Sequence, residues 1–136
     1  LTLQGGARKK GNTARLIQSI LQPLEQDGSD VTTVFLGDYT IGACTGCEGC
    51  SDSWECVIRD DFQSLVKMID SADGIILASI SYTACDPLVE EIAKKGIPVI
   101  GSIGYEPEIF QAGLEGRPIC SDKVEGNIAR ILDRLL

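Results

Sequence analysis

With 136 residues, 43% of them hydrophobic, the chain suits one domain that buries most of its apolar surface without disulfide or metal staples. A net charge of -8 argues against nucleic acid or an anionic membrane as partner, because binding phosphate on that scale needs clustered Lys and Arg. Histidine is absent, so the usual general base is missing and any chemistry has to come largely from a cofactor.

Leu1 to Gln4 reads as a short apolar strand ending at Gly5 and Gly6. The chain begins without methionine and already inside this strand, so a few leading residues are expected to precede it. The loop from Gly5 to Thr13 opens a helix whose buried face is Ala14, Ile17, Leu21 and Leu24, with Gly28 just past its end. Val31 to Leu36 is β-branched and aromatic enough for a second strand.

Next comes a cysteine-rich loop. Asp60 and Gln63 then resemble a capping box, and Phe62, Leu65, Val66 and Ile69 form the apolar stripe of the following helix. The continuous apolar run from Ile75 to Ile80 predicts a buried parallel third strand. Asp86 and Pro87 open another helix, through Leu88, Val89, Ile92 and Ala93, which Gly96 ends. Ile97 to Ile103 is read as a fourth strand and Arg117 to Cys120 as a short fifth. Ser121 or Asp122 caps the last helix, with Val124, Ile128, Ile131 and Leu135 facing inward.

This alternation predicts a single α/β domain over residues 1–136, an open parallel five-stranded sheet with helices on both faces. Ligands in such sheets bind beyond the carboxyl ends of the strands, near the point where strand order reverses. The loops after the first three strands all emerge at that edge.

The cysteine loop carries the strongest chemical signal. Cys44, Cys47, Cys50 and Cys56 lie within thirteen residues, with two-residue gaps between the first three and a longer one before the last. Such spacing lets one loop wrap an iron-sulfur cluster, with Gly46 and Gly49 allowing a tight curl. Structural zinc accepts four thiolates too, though more often from two separated Cys-x-x-Cys knuckles. Disulfides within so short a loop constrain little. No apolar run approaches the roughly 20 residues that cross a bilayer and no leader is evident, so the expected location is the reducing cytoplasm.

The first loop reads as a phosphate cradle: glycines for close approach, Arg8 for charge, Asn12 and Thr13 at a helix N-terminus. It lacks the Gly-x-Gly-x-x-Gly and Walker A patterns, and a glycine-rich turn with the solvated charges Lys9 and Lys10 is the plainer alternative. Cys85 reads as an ordinary small thiol, Cys120 as structural and Tyr105 as loop packing, while Trp54 either shields the cluster or packs the loop.

From Leu1 to about Tyr82 the chain resembles the iron-sulfur flavoproteins of the flavodoxin-like NAD(P)H-dependent FMN reductase superfamily. The resemblance rests on Gly5, Arg8, Gly11, Asn12 and Thr13 after strand one, and on Cys44, Cys47, Cys50 and Cys56 with the same gaps. It extends to the aspartates Asp60 and Asp61 and to Ser79 and Tyr82 after strand three. It implies FMN phosphate at Gly6, Arg8, Asn12 and Thr13, a flavin ring along Ser79, Ser81 and Tyr82, and a [4Fe-4S] cluster on the four cysteines. It also implies a homo-oligomer that exchanges electrons with a redox partner protein or NAD(P)H.

Gly6 and Ala7 replace the family's Ser and Pro, and Ile80 replaces a proline. Past Tyr82 the family pattern is not recognisable. Gly96 to Ile103 and Tyr105 to Pro118 instead weakly resemble the end of MinD-type ATPases, without a Walker motif; a mosaic gene or a shortened variant is expected. The resulting expectation is an electron-transfer iron-sulfur flavoprotein. The alternatives are an NAD(P)H-dependent FMN or quinone reductase without a cluster and a non-catalytic metal-binding module.

Overall fold

The computed structural model describes residues 1–6, 8–53, 55–78, 86–104 and 106–135. Its centre is a parallel three-stranded sheet of β1 (Thr2–Gln4), β2 (Thr33–Phe35) and β3 (Ile76–Ala78) in the order β2-β1-β3. Thr2, Leu3 and Gln4 stand opposite Thr33, Val34 and Phe35 on one side and Ile76, Leu77 and Ala78 on the other. The Gly5 amide donates to the Ala78 carbonyl at 2.8 Å and continues the ladder to the carboxyl edge.

Strand alternation separates two cores. Leu3 and Val34 face Leu65 of α2 (Phe62–Asp70), joined by Leu36, Tyr39, Met68 and Ile69. On the opposite face, Ile76 meets Ile20 of α1 (Asn12–Gln26) and Val124 and Ile128 of α5 (Asp122–Leu132). A parallel sheet carrying helices on both faces is therefore present, as the alternating pattern requires.

Three strands rather than five form among the described residues. The expected fourth, Ile97 to Ile103, forms no ladder, and Ile97 remains 57% exposed. Pro98 offers no amide, and Gly101 lies so close to α5 that a Cβ there would come within 2.6 Å of Ile131. The segment leans on α5 instead, where Arg134 donates to the Ile100 carbonyl. The expected fifth strand, Arg117 to Cys120, is interrupted by Pro118 and likewise makes no ladder.

Between these segments lies a helix that the periodicity reading did not anticipate, α4 (Pro107–Glu115). Proline stands in its first turn and Gly116 closes it in the left-handed conformation at φ 69°. Ala112 of α4 is fully buried. The helix α3 (Asp86–Lys94) forms where Asp86 and Pro87 indicated.

Smaller corrections concern the apolar stripes. Phe62 and Leu135 are exposed rather than inward, and β3 is not the buried strand expected, since it lies at the edge of the described sheet with Ile75 and Leu77 exposed. The capping box does not close: Asp60 accepts the Phe62 amide, while Gln63 reaches the Cys56 carbonyl instead of returning to the cap. No helix of the described residues is long and apolar enough to cross a membrane.

Candidate functional site

Strand order reverses at β1, since the chain moves from β1 to β2 on one side and then to β3 on the other. The carboxyl ends of β1 and β3 therefore bound the crevice in which open parallel sheets hold ligands. The first loop enters this crevice directly. Its shape is maintained by Gln4, nearly fully buried, whose Nε2 donates to the carbonyls of Arg8 at 3.3 Å and Lys9 at 3.2 Å.

Gly6 and Thr13 come together, with Asn12 just before Thr13 at the start of α1. A Cβ on Gly6 would stand 3.2 Å from Thr13 Oγ1, so the backbone approaches the hydroxyl closely, as only glycine readily allows. Asn12 and Thr13 are both buried, and Asn12 Nδ2 has no hydrogen-bond partner. A buried donor left unpaired costs about 1–3 kcal/mol, so an acceptor arriving there recovers that cost. Gly11 precedes α1 without a side-chain cap and the first turn has no acidic residue, leaving its amides to an external acceptor. This corner therefore offers hydrogen-bond donors without an acidic neighbour in the first turn of α1.

Arg8 reaches from the first loop to α4. Its Nη2 donates to the Gly113 carbonyl of α4 at 3.1 Å. Asn12 Nδ2 points to the same spot, 3.8 Å from where a Gly113 Cβ would be. Lys9 is not simply solvated: it pairs with Asp38 at 2.5 Å and sits 5.5 Å from the Phe35 ring centroid. Ser79, Ser81 and Tyr82, the expected ring-lining residues, lie outside the described residues, as do Trp54, Cys85 and Tyr105.

The cysteine loop leaves the sheet after a single 3-10 turn at Leu36–Asp38. Cys44, Cys47 and Cys50 are exposed and Cys56 is half-buried; all four are free thiols. Gly46 and Glu48 both occupy the left-handed region, at φ 67° and 57°, which curls the chain between the first three sulfurs. Gly49 serves another purpose, since a Cβ there would meet Val57 at 2.9 Å. The Gly46 amide points at Cys44 Sγ at 3.5 Å. Hydrogen bonds from the Gly49 amide and then the Thr45 hydroxyl hold the Cys47 thiol below its ordinary range.

This donor set, four soft thiols with amides already turned toward sulfur, fits an iron-sulfur cluster. Among the described residues no three or more Cys, Asp or Glu side chains are gathered at metal-holding geometry. Exposed Cys120, expected to be structural, stands outside this loop.

Two residues carry more of the site than the sequence reading assigned them. Asp60 and Asp61 each accept amides from the entry to the cysteine loop, Gly42 at 2.6 Å and Thr40 at 2.7 Å respectively. In the sequence Asp60 reads as half of a capping box and the pair as part of the family resemblance, because hydrogen bonds across about twenty residues leave no periodic signature.

The model of the NADPH-dependent FMN reductase family matches residues 1–87, more than half of the 136-residue chain. The chain belongs to this family. The matched part of this FMN reductase family member contains the sheet, the first loop and the whole cysteine loop.

Among curated proteins, an iron-sulfur flavoprotein of Archaeoglobus fulgidus is 38% identical over 78 residues, which cover 57% of this chain and 36% of that protein. An iron-sulfur flavoprotein of Methanocaldococcus jannaschii is 34% identical over 80 residues, covering 59% of this chain and 42% of the relative. One from Methanosarcina thermophila is 32% identical over 80 residues with the same two coverages, 59% and 42%. The chain thus matches about two fifths of the length of these relatives. No solved structure matches significantly.

Proposed function

We propose that the chain is an electron-transfer iron-sulfur flavoprotein, with FMN at the first loop and a [4Fe-4S] cluster on the cysteine loop. The observation that carries the flavin half is the buried, unpartnered amide of Asn12 at the start of α1, next to Thr13, whose hydroxyl Gly6 approaches closely. Asn12 Nδ2, the Thr13 hydroxyl and the first-turn amides of α1 would hold the phosphate. Arg8 would add its charge from the rim. Ser79, Ser81 and Tyr82 would line the ring. Cys44, Cys47, Cys50 and Cys56 would hold the cluster, supported by the amides at sulfur and by the names of the relatives.

Bound flavin exchanges one or two electrons and the cluster one, so together they supply redox chemistry that the side chains lack. The chain's own part is to bind, orient and shield. Gln4 keeps the first loop folded back on β1, and Lys9 with Asp38 ties that loop to the turn from which the cysteine loop departs. No side chain is required as general acid or base. The proposed partner is a redox protein or NAD(P)H, and the working form a homo-oligomer.

The family's description as NADPH-dependent FMN reductase favours a second reading, a reductase whose cysteines hold zinc or nothing. An anaerobic ultraviolet-visible spectrum of the purified chain, with iron, sulfide and zinc assayed on the same sample, separates the readings. Flavin peaks with a broad band near roughly 400 nm and about four each of iron and sulfide per chain are expected. Flavin with fast NADPH turnover and no iron would establish the reductase. A colourless zinc protein would overturn both and leave a metal-binding module.

A further inference from the structure

We infer that Asp60 and Asp61 are positioning residues for the cysteine loop, clamping its two ends to α2 and so shortening the free segment that a cluster has to order. This rests on the cluster reading above. Asp60 uses both carboxylate oxygens: Oδ2 accepts the Gly42 amide at 2.6 Å and Oδ1 the Phe62 amide at 2.9 Å. Asp61 accepts the Thr40 amide through Oδ2 at 2.7 Å, and its own amide donates to the Thr40 carbonyl at 3.1 Å. On the far side, Gln63 Nε2 donates to the Cys56 carbonyl at 3.0 Å.

These bonds join residues 40 and 42, just before Cys44, to the chain just after Cys56. The joint is fixed to the fold because α2 buries Leu65 against Leu3 and Val34. Between the clamped ends, Cys44, Cys47 and Cys50 are exposed, so apolar burial does not hold the loop in place. Bonds from an amide to a carboxylate are about twice as strong as neutral ones, which suits a clamp that has to work in water. Untying the ends would lengthen the free segment that a cluster must order, and outer contacts of this kind typically change metal retention by roughly tenfold or more when lost.

The geometry separates the two aspartates. Asparagine keeps an acceptor at only one of the two carboxylate oxygen positions, enough for the amide on Asp61 Oδ2 but not for the amides on both Asp60 oxygens, one of which would face an NH2 group. The test compares D60A, D60N, D61A and D61N with the wild-type chain after anaerobic reconstitution with ferrous iron and sulfide. It reads iron and sulfide per chain, the paramagnetic resonance of the reduced cluster, release of iron to a ferrous chelator, FMN affinity and thermal unfolding. D60A, D60N and D61A are expected to release iron roughly tenfold faster. D61N should stay near wild type, and FMN affinity should hold in all four.

Iron release at the wild-type rate in D60A and D61A would overturn the inference, even with lowered melting temperatures, since the carboxylates would then serve the fold alone. Amide exchange in the apoprotein reads the clamp without a cluster: protection of Gly42 should vanish in D60A and of Thr40 in D61A. Unprotected amides in the wild type would overturn the clamp itself. A wild-type chain that takes up no iron and sulfide overturns the cluster reading and the positioning role with it, whether or not those amides are protected.

Discussion

Arg8 and Gly113, separated by 105 residues in the chain, are joined by a 3.1 Å hydrogen bond from the guanidinium to the backbone carbonyl. Gly113 belongs to the last turn of α4, whose carbonyls lack partners within the helix and carry the negative end of its dipole. Arg8 therefore caps α4 while standing beside the proposed phosphate site. Both roles draw on the same positive charge.

That double role makes Arg8→Ala informative. FMN affinity should fall by roughly tenfold or more, as one charge-assisted bond is lost, while riboflavin, which has no phosphate, should bind nearly as before. Fluorescence titration with both flavins checks this. Equal affinities of wild type and variant for FMN, with a lowered melting temperature, would show that Arg8 only caps the helix.

Asn12→Ala should act in opposite directions on stability and binding. The apoprotein loses an unpartnered buried donor, so the desolvation penalty disappears and offsets the small cavity left behind. Its melting temperature should change by no more than about 3 °C, while FMN affinity falls roughly tenfold. Thermal unfolding with and without FMN measures both. A large loss of stability with unchanged affinity would make Asn12 a structural residue.

Serine replacement distinguishes the loop thiols from Cys120. Each of Cys44→Ser, Cys47→Ser, Cys50→Ser and Cys56→Ser should sharply reduce the iron and sulfide held after anaerobic reconstitution, because a cubane needs four ligands. Cys120→Ser should leave both unchanged. Retention of a full cluster by any loop variant would remove that cysteine from the ligand set.

Glu115, at the end of α4, is held below its ordinary carboxylate range first by Gln111, whose Nε2 donates to it at 2.6 Å, and then by Arg117. Because the folded value is lowered, its contribution is fully present above the ordinary value of 4.5 and is lost as pH falls below it. The group is exposed and screened, so the effect is small. Wild type should melt about 1–2 °C above Glu115→Gln at pH 6, and the difference should shrink as the pH is lowered below 4.5. A gap that widens on acidification would contradict the assignment.

The legible parts of the fold and site were those set by neighbours in the chain. The apolar run of β3, the period of α1 and the cysteine gaps could all be read directly, since a strand face, a helix face or one loop needs only local spacing. The helix α4 was also marked, by Pro107 and Gly116, but the extended reading of the surrounding Ile, Gly and Pro residues obscured it. Ile97 to Ile103 has a strand's composition, yet composition does not supply a ladder partner, and contact with α5 prevailed.

What sequence alone determined was the inventory: a glycine-rich entry to a helix, four closely spaced thiols, and alternating strands and helices around one parallel sheet. Tertiary structure decided the order β2-β1-β3, the turning of Arg8 onto Gly113, and the fastening of Gly42 and Thr40 by Asp60 and Asp61. The division has a physical cause. Backbone sterics and side-chain period act between near neighbours and leave regular marks, whereas a donor chooses a distant acceptor only after packing has brought the two together.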